Sequence, residues 1–156
     1  MGVEEEKVEI LTSKPENFST DVEAVSCYLE VNGQYLLLQR SEEESYKDLW
    51  SVPSGSIERE ESVYDALQRE VQEETGIEIG IGEAEKVGCL YFRHPSISIV
   101  FHIFRVLREE VPKVVLNFEH QDYQWVSFAK ASQVLFMPGG YEMLELYRQL
   151  VNGGSC

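Results

Sequence analysis

Basic residues are scarce in this chain. Thirteen Lys and Arg stand against 28 Asp and Glu, a formal net charge of −15 at pH 7. A surface of that sign repels a nucleic-acid backbone and an anionic bilayer, so neither is expected as a main partner. Cysteine is scarce as well. Cys27, Cys89 and Cys156 are odd in number and widely spaced, which excludes a disulfide framework and suits reduced thiols and a cytoplasmic location. No apolar run approaches the length of a membrane span. The first residues lack the basic-then-apolar order of a secretory leader. Glu6 stands where a myristoylation site needs Ser or Thr, and Cys156 is last rather than fourth from the end, which argues against prenylation. Internal repeats and low-complexity segments are absent.

What is present suits one globular domain. A chain of 156 residues, 43% hydrophobic, can bury a substantial core. Residues 1–20 read as a polar, acidic extension with a short strand at Val8–Leu11, residues 21–151 as the domain, and 152–156 as a disordered tail. Glu23–Val31 and Gln34–Arg40 are β-rich runs around Asn32-Gly33, a hairpin signal. Ser41–Asp48 is an acidic loop. Val87–Phe92 and Ser98–Leu107 form a second strand pair, and Gln124–Phe128 a short strand. Ala129–Leu135 and Tyr141–Leu150 read as helices separated by Pro138-Gly139-Gly140. Mixed strands and helices imply an α/β or α+β layered fold.

The most informative stretch is residues 55–77, with the skeleton G-x5-E-x7-R-E-V-x-E-E-x-G-I. Ser62 with Asp65 three residues on reads as a helix N-cap, and Gly76 as the left-handed residue after the helix end. The helix therefore runs from Val63 to Thr75. Glu70, Glu73 and Glu74 sit at i, i+3 and i+4 and share a face. A solvated charged face is the usual fate of such a run. The helical wheel argues otherwise, because Glu70 and Glu74 fall in the sector of Val63, Ala66 and Leu67, opposite Asp65, Gln68 and Gln72. Inward carboxylates repel one another and need a counter-charge. Carboxylate oxygens suit Mg²⁺ or Mn²⁺, with substrate phosphates completing the shell. The net negative charge does not oppose a nucleotide that carries its own magnesium.

Gly55, Glu61, Arg69, Glu70, Glu73, Glu74 and Gly76, with aliphatic Val71 and Ile77, resemble the Nudix box of MutT-like hydrolases. The resemblance implies a mixed β-sheet sandwiched between α-helices and hydrolysis of nucleoside diphosphates linked to another group. It makes Glu73 and Glu74 metal ligands, Glu70 a ligand or general base, and Glu61 an outer acid. Arg69 would orient the carboxylates, and the Ser54 carbonyl lies where relatives often offer a backbone oxygen to metal, although Ser54-Gly55 replaces their common Gly-Gly.

Two residues outside the box keep two readings each. Glu119 is either the loop glutamate that reaches the metals, as base or ligand, or a plain acidic loop residue. Arg40 is either a binder of the substrate phosphate or a solvated strand end. His94, His102 and His120 are scattered, lack metal-ligand spacing, and read as structural or surface histidines. Tyr91, Phe92 and Arg93 could steady a base or belong to the core. Trp50 and Trp125 read as packing residues. The default substrate is a (d)NTP; the alternatives are ADP-ribose or a nucleotide sugar, and a non-catalytic nucleotide-binding module. A homodimer stays open.

Overall fold

The computed structural model describes residues 7–153. Its eight strands form one mixed sheet. In chain order the elements are β1 (Glu9–Leu11), β2 (Val22–Val31), β3 (Gln34–Arg40), β4 (Trp50–Ser51), β5 (Ser54–Ser56), α1 (Val63–Thr75), β6 (Glu85–His94), β7 (Ile97–Arg108), β8 (His120–Ser127), α2 (Phe128–Ala131) and α3 (Gly140–Gly153). The main path is β1-β6-β7-β2-β3-β4, with β5 on β2 and β8 on β3. β2 and β7 pair in parallel over ten residues, from Val22–Ile99 to Val31–Arg108.

The hairpin between β2 and β3 turns at Asn32 and Gly33, with φ of 52° and 76°. Positive φ at both central residues is the turn whose twist matches a hairpin, and Asn-Gly is the pair that tolerates it. Only two residue pairs join β2 to β3, Glu30–Tyr35 and Val31–Gln34. Beyond them β2 turns to β5, and β3 to β4 and β8.

β2 and β3 are apolar almost throughout because both sheet faces are covered. Val25, Cys27, Leu29, Leu36, Leu38, Phe104 and Val106 pack with Ala66, Leu67 and Val71 of α1. The alternate residues Tyr28, Tyr35, Leu37 and Ile103 pack with Met143, Leu144 and Tyr147 of α3. The fold is thus the helix-flanked mixed sheet that the resemblance of the box implies. Tyr28 and Tyr147 stack with centroids 4.0 Å apart, and the Tyr147 hydroxyl donates to Glu30, so the ring's polar tip stays satisfied.

Helix α1 has the predicted ends. Asp65 N–H donates to Ser62 Oγ at 3.1 Å. Gly76 has φ of 73°, and its N–H donates to Gln72 O at 2.8 Å.

The short strand expected at Val8–Leu11 is present as Glu9–Leu11, and it pairs at the sheet edge with β6. Elsewhere the structure departs from the sequence reading. α2 stops at Ala131 instead of running to Leu135. The cause is the edge of β4: Trp50 N–H donates to Leu135 O and Met137 N–H to Trp50 O, both at 2.9 Å, which draws this segment out of helical geometry. β8 begins at His120, four residues before the expected strand. Asn152 and Gly153, expected in the tail, continue α3; the rest of that tail, 154–156, lies outside the described residues, as does Glu6.

Candidate functional site

Three segments converge at one end of α1: the β5 turn, the last two turns of α1, and the start of β8. Glu74 lies on the inward stripe of α1 and is buried to 2% exposure. Ser54 N–H donates to Glu74 Oε1 at 2.9 Å. One such bond to a charged group is worth about 1.5–3 kcal/mol, whereas burying an ion costs several. Burial wins. It pushes the Glu74 carboxyl well above the ordinary 4.5, and the nearby Glu70 and Glu119 push it further.

Glu70, one turn earlier, lies against the backbone of Gly55. A β-carbon there would overlap its carboxylate. Burial raises the Glu70 pKa, and its bond from Arg69 only partly opposes this. Arg69 gathers the outer acids. Its Nε and Nη2 donate to Glu61 at 2.7 and 2.9 Å, and its Nη1 to Glu70 at 2.8 Å and Glu73 at 3.3 Å. Nη2 also donates to Ser56 O at 3.1 Å, tying the helix to the β5 turn. The two-pronged bond from Arg69 holds Glu61 down at about 2. Glu73 is the most open of the box acids, its side chain 50% exposed. The wheel's separation of Glu70 and Glu74 from the solvent face is therefore observed, and Glu73 stands at its margin.

Glu119, in the turn before β8, and His120, the first residue of β8, enter from the third segment. Glu119 N–H donates to Asn117 Oδ1 at 3.1 Å, and Ser41 N–H donates to Glu119 O at 2.9 Å. One ligand atom each from Glu74, Glu119 and His120 lie within 4.8 Å of one another, the spacing of a metal-binding group. His120 is the residue that sequence reading missed. Its side chain is 3% exposed, and Nδ1 lies 3.9 Å from Glu74 Oε2, too far for a hydrogen bond. Burial, then the charge of Arg40, lowers its pKa to about 4, so the ring is neutral at pH 7.

Arg40 ends β3 between this cluster and a cavity of about 270 Å³. Its Nε donates to Ser45 O at 2.7 Å and Nη2 meets Glu44 at 3.4 Å. The cavity is lined by Ser54 and Arg40, which also touch the cluster, and by the aromatic rings of Tyr46, Phe92, Phe101 and Phe136. Of the Tyr91-Phe92-Arg93 trio only Phe92 reaches it. Strand alternation turns Tyr91 toward Phe18, and Arg93 binds Glu9 at 2.8 Å.

A NUDIX domain model matches residues 20–149. The chain belongs to the Nudix family. It is 30% identical over 132 residues to the CTP pyrophosphohydrolase of Escherichia coli K12, covering 83% of this chain and 93% of that one. The asymmetrical bis(5'-nucleosyl)-tetraphosphatase of Sus scrofa is 30% identical over 106 residues, 65% of this chain and 69% of that protein. Among solved structures, the MutT protein of Methanosarcina mazei Go1 superposes with a TM-score of 0.70 at 26% identity, covering 86% of this chain and 96% of that one. The ORF135 protein of E. coli gives 0.69 at 29%, covering 92% and 99%.

As a Nudix hydrolase the chain acts on nucleotide derivatives. Its carboxylate cluster is of the kind that Nudix hydrolases use for a divalent cation, and the residues fit one. Glu74 is a buried acid facing two further acids, and the adjacent His120 Nδ1 lacks a hydrogen-bond partner. Among the described residues no helix is long and apolar enough to cross a membrane. Cys27 is buried, with its thiol pushed up to about 12 mainly by burial, so it is inert. Cys89 lies 3.6 Å from His102 Nδ1, a neighbour that sequence distance concealed.

Proposed function

We propose that this Nudix hydrolase is a Mg²⁺- or Mn²⁺-dependent pyrophosphohydrolase of nucleoside triphosphates, yielding a nucleoside monophosphate and pyrophosphate. One observation carries the reading. Ser54 and Arg40, which both act on buried Glu74, also line an aromatic-walled cavity, so the carboxylate cluster and the cavity share two residues. A base stacked among Phe92, Phe101 and Phe136 would leave its phosphates beside Arg40 and the glutamates.

Glu74 and Glu119, with Glu73 and the Ser54 carbonyl, would hold the cations, and Glu70 stands beside them. A cation held there would supply charge neutralisation of the phosphates and a lowered pKa for the attacking water. The water oxygen bonds to phosphorus, the anhydride P–O bond breaks, and Glu70 or Glu119 accepts the water's proton. Glu70 suits that task because burial has already raised its basicity. Arg69 keeps Glu70 from swinging onto its neighbours, and Arg40 steadies the phosphate chain.

Incubating the full chain with NTPs, dNTPs, ADP-ribose, nucleotide sugars and dinucleoside tetraphosphate, each with Mg²⁺ or Mn²⁺, tests this. Release of pyrophosphate from triphosphates is expected. Turnover of ADP-ribose or a sugar nucleotide alone would transfer the chain to the alternative class. Binding without turnover of any member would make it a binding module.

A further inference from the structure

We propose that His120 is an imidazole ligand of the cation site, so that this chain has a mixed nitrogen and oxygen site favouring Mn²⁺ or Co²⁺ over Mg²⁺. The proposal rests on the carboxylate cluster being a cation site, and it adds a donor that the box does not contain.

The register of β8 carries the first part of the argument. Leu36 pairs with Trp125, Leu38 with Tyr123, and Gln39 with Asp122. Regular alternation would then set Gln121 opposite Arg40. Instead the register shifts between Gln39 and Arg40, and Arg40 pairs with His120. One extra residue reverses the face that follows it. The bulge therefore brings His120 to the side of the sheet where Trp125 and α1 lie, against Glu74.

The second part is the state of the ring. Its side chain retains only 3% of its exposure, yet Nδ1 has no hydrogen-bond partner. An orphaned buried nitrogen costs about 1–3 kcal/mol, and folds seldom leave one without a reason. Here it lies 3.9 Å from Glu74 Oε2, in a group whose ligand atoms span no more than 4.8 Å. A cation seated among Glu74, Glu119 and His120 would satisfy the nitrogen and both carboxylates together. Imidazole is a softer donor than a carboxylate, and its affinity rises from Mn²⁺ through Co²⁺, whereas Mg²⁺ prefers oxygen.

Pulsed electron paramagnetic resonance of the full chain with Mn²⁺ tests this directly. The Mn²⁺ complex should show ¹⁴N modulation from one bound imidazole. The signal should vanish in His120→Gln and persist in the double variant His94→Gln/His102→Gln, where His120 is the last histidine of the chain's three. The double variant leaves His120 intact, so the assignment survives even if His120→Gln folds poorly. Calorimetry should show Mn²⁺ affinity falling by about tenfold or more in His120→Gln, the lower end of the loss on removing a group that supports a metal, with Mg²⁺ affinity changed far less. Mn²⁺ bound without nitrogen modulation, but lost in Glu74→Gln, would overturn the role of His120 and leave the carboxylate site standing. Failure of the wild-type chain to bind Mn²⁺ at all would overturn both.

Discussion

The Glu70 carboxylate rests on the backbone of Gly55, in the space that any larger residue would fill with its β-carbon. Gly55 thus sets the depth of the site. Its backbone is not in the left-handed region, so the requirement is space and not conformation. Gly55→Ala should leave the fold intact while displacing Glu70. Turnover should fall by about 10²-fold or more, the scale of losing a general base. The double variant Gly55→Ala/Glu70→Gln should be little worse than Glu70→Gln alone, because both changes remove one interaction. Additive losses in a kinetic cycle would count against the contact.

The glutamates should separate by readout. Glu74→Gln should abolish tight cation binding, measured by calorimetry, together with turnover. Glu70→Gln should lose about 10²–10⁴-fold in kcat, as a base would, with a smaller change in affinity. Glu119→Gln decides between base and ligand: a rate loss at unchanged affinity marks the base, and partial rescue by excess cation marks the ligand. Glu78, exposed just beyond the box, is the control, and Glu78→Gln should stay near wild type.

Arg69→Lys tests the organiser. A lysine keeps the charge but cannot bond Glu61 through two nitrogens while also reaching Glu70, Glu73 and Ser56. The Glu61 carboxyl should rise from about 2 toward its ordinary 4.5, which carboxyl-resolved NMR titration would read. Turnover should fall although every glutamate is still present. An unchanged Glu61 titration would show that the guanidinium is not what holds it.

Stability should respond to pH in a way that cation binding reverses. Glu70 and Glu74 have folded pKa values above 4.5. Between 4.5 and those raised values the native state holds more protons than the unfolded one, so the cation-free chain loses stability as pH rises through that window. His120 works in the other direction. Its folded value of about 4 lies below 6.5, so its contribution is present above 6.5 and is lost as pH falls toward 4. Thermal melts of wild type against Glu74→Gln isolate the larger part of the first effect: the variant should keep only the smaller decline that Glu70 contributes. Added Mn²⁺ should raise the wild-type Tm more at pH 8 than at pH 5, and binding should release protons.

The sequence made the helix of the box legible to its end residues, because caps and apolar spacing are local signals. The hairpin at Asn32-Gly33 was legible for the same reason. The wheel also set Glu70 and Glu74 inward, since direction follows from helical period, but it grouped Glu73 on the same face, where the structure leaves it open. The rest depended on pairing between distant segments. Nothing near Leu135 announces that Trp50 will take its carbonyl and cut α2 short. Trp125 and His120 are five residues apart, so simple alternation puts them on opposite faces, and only the bulge against Gln39 and Arg40 brings them to one. The cavity was hidden likewise, because its walls come from six strands, the loops between them and α3, which no local pattern joins.

The pairing of β3 with β8 has a consequence for how the chain reaches this state. Gln34 meets Ser127, and Arg40 meets His120, across most of the domain, and between them in the chain lie α1 and the β6–β7 hairpin. Contacts so remote along the chain form slowly, because the loop must close before they repay its entropy. Glu70 and Glu74 can be set on a formed α1 early, but Glu119 arrives only when β8 docks. The cation site is then completed among the last events of folding, and a nascent chain would carry the full box on its helix well before it could bind tightly.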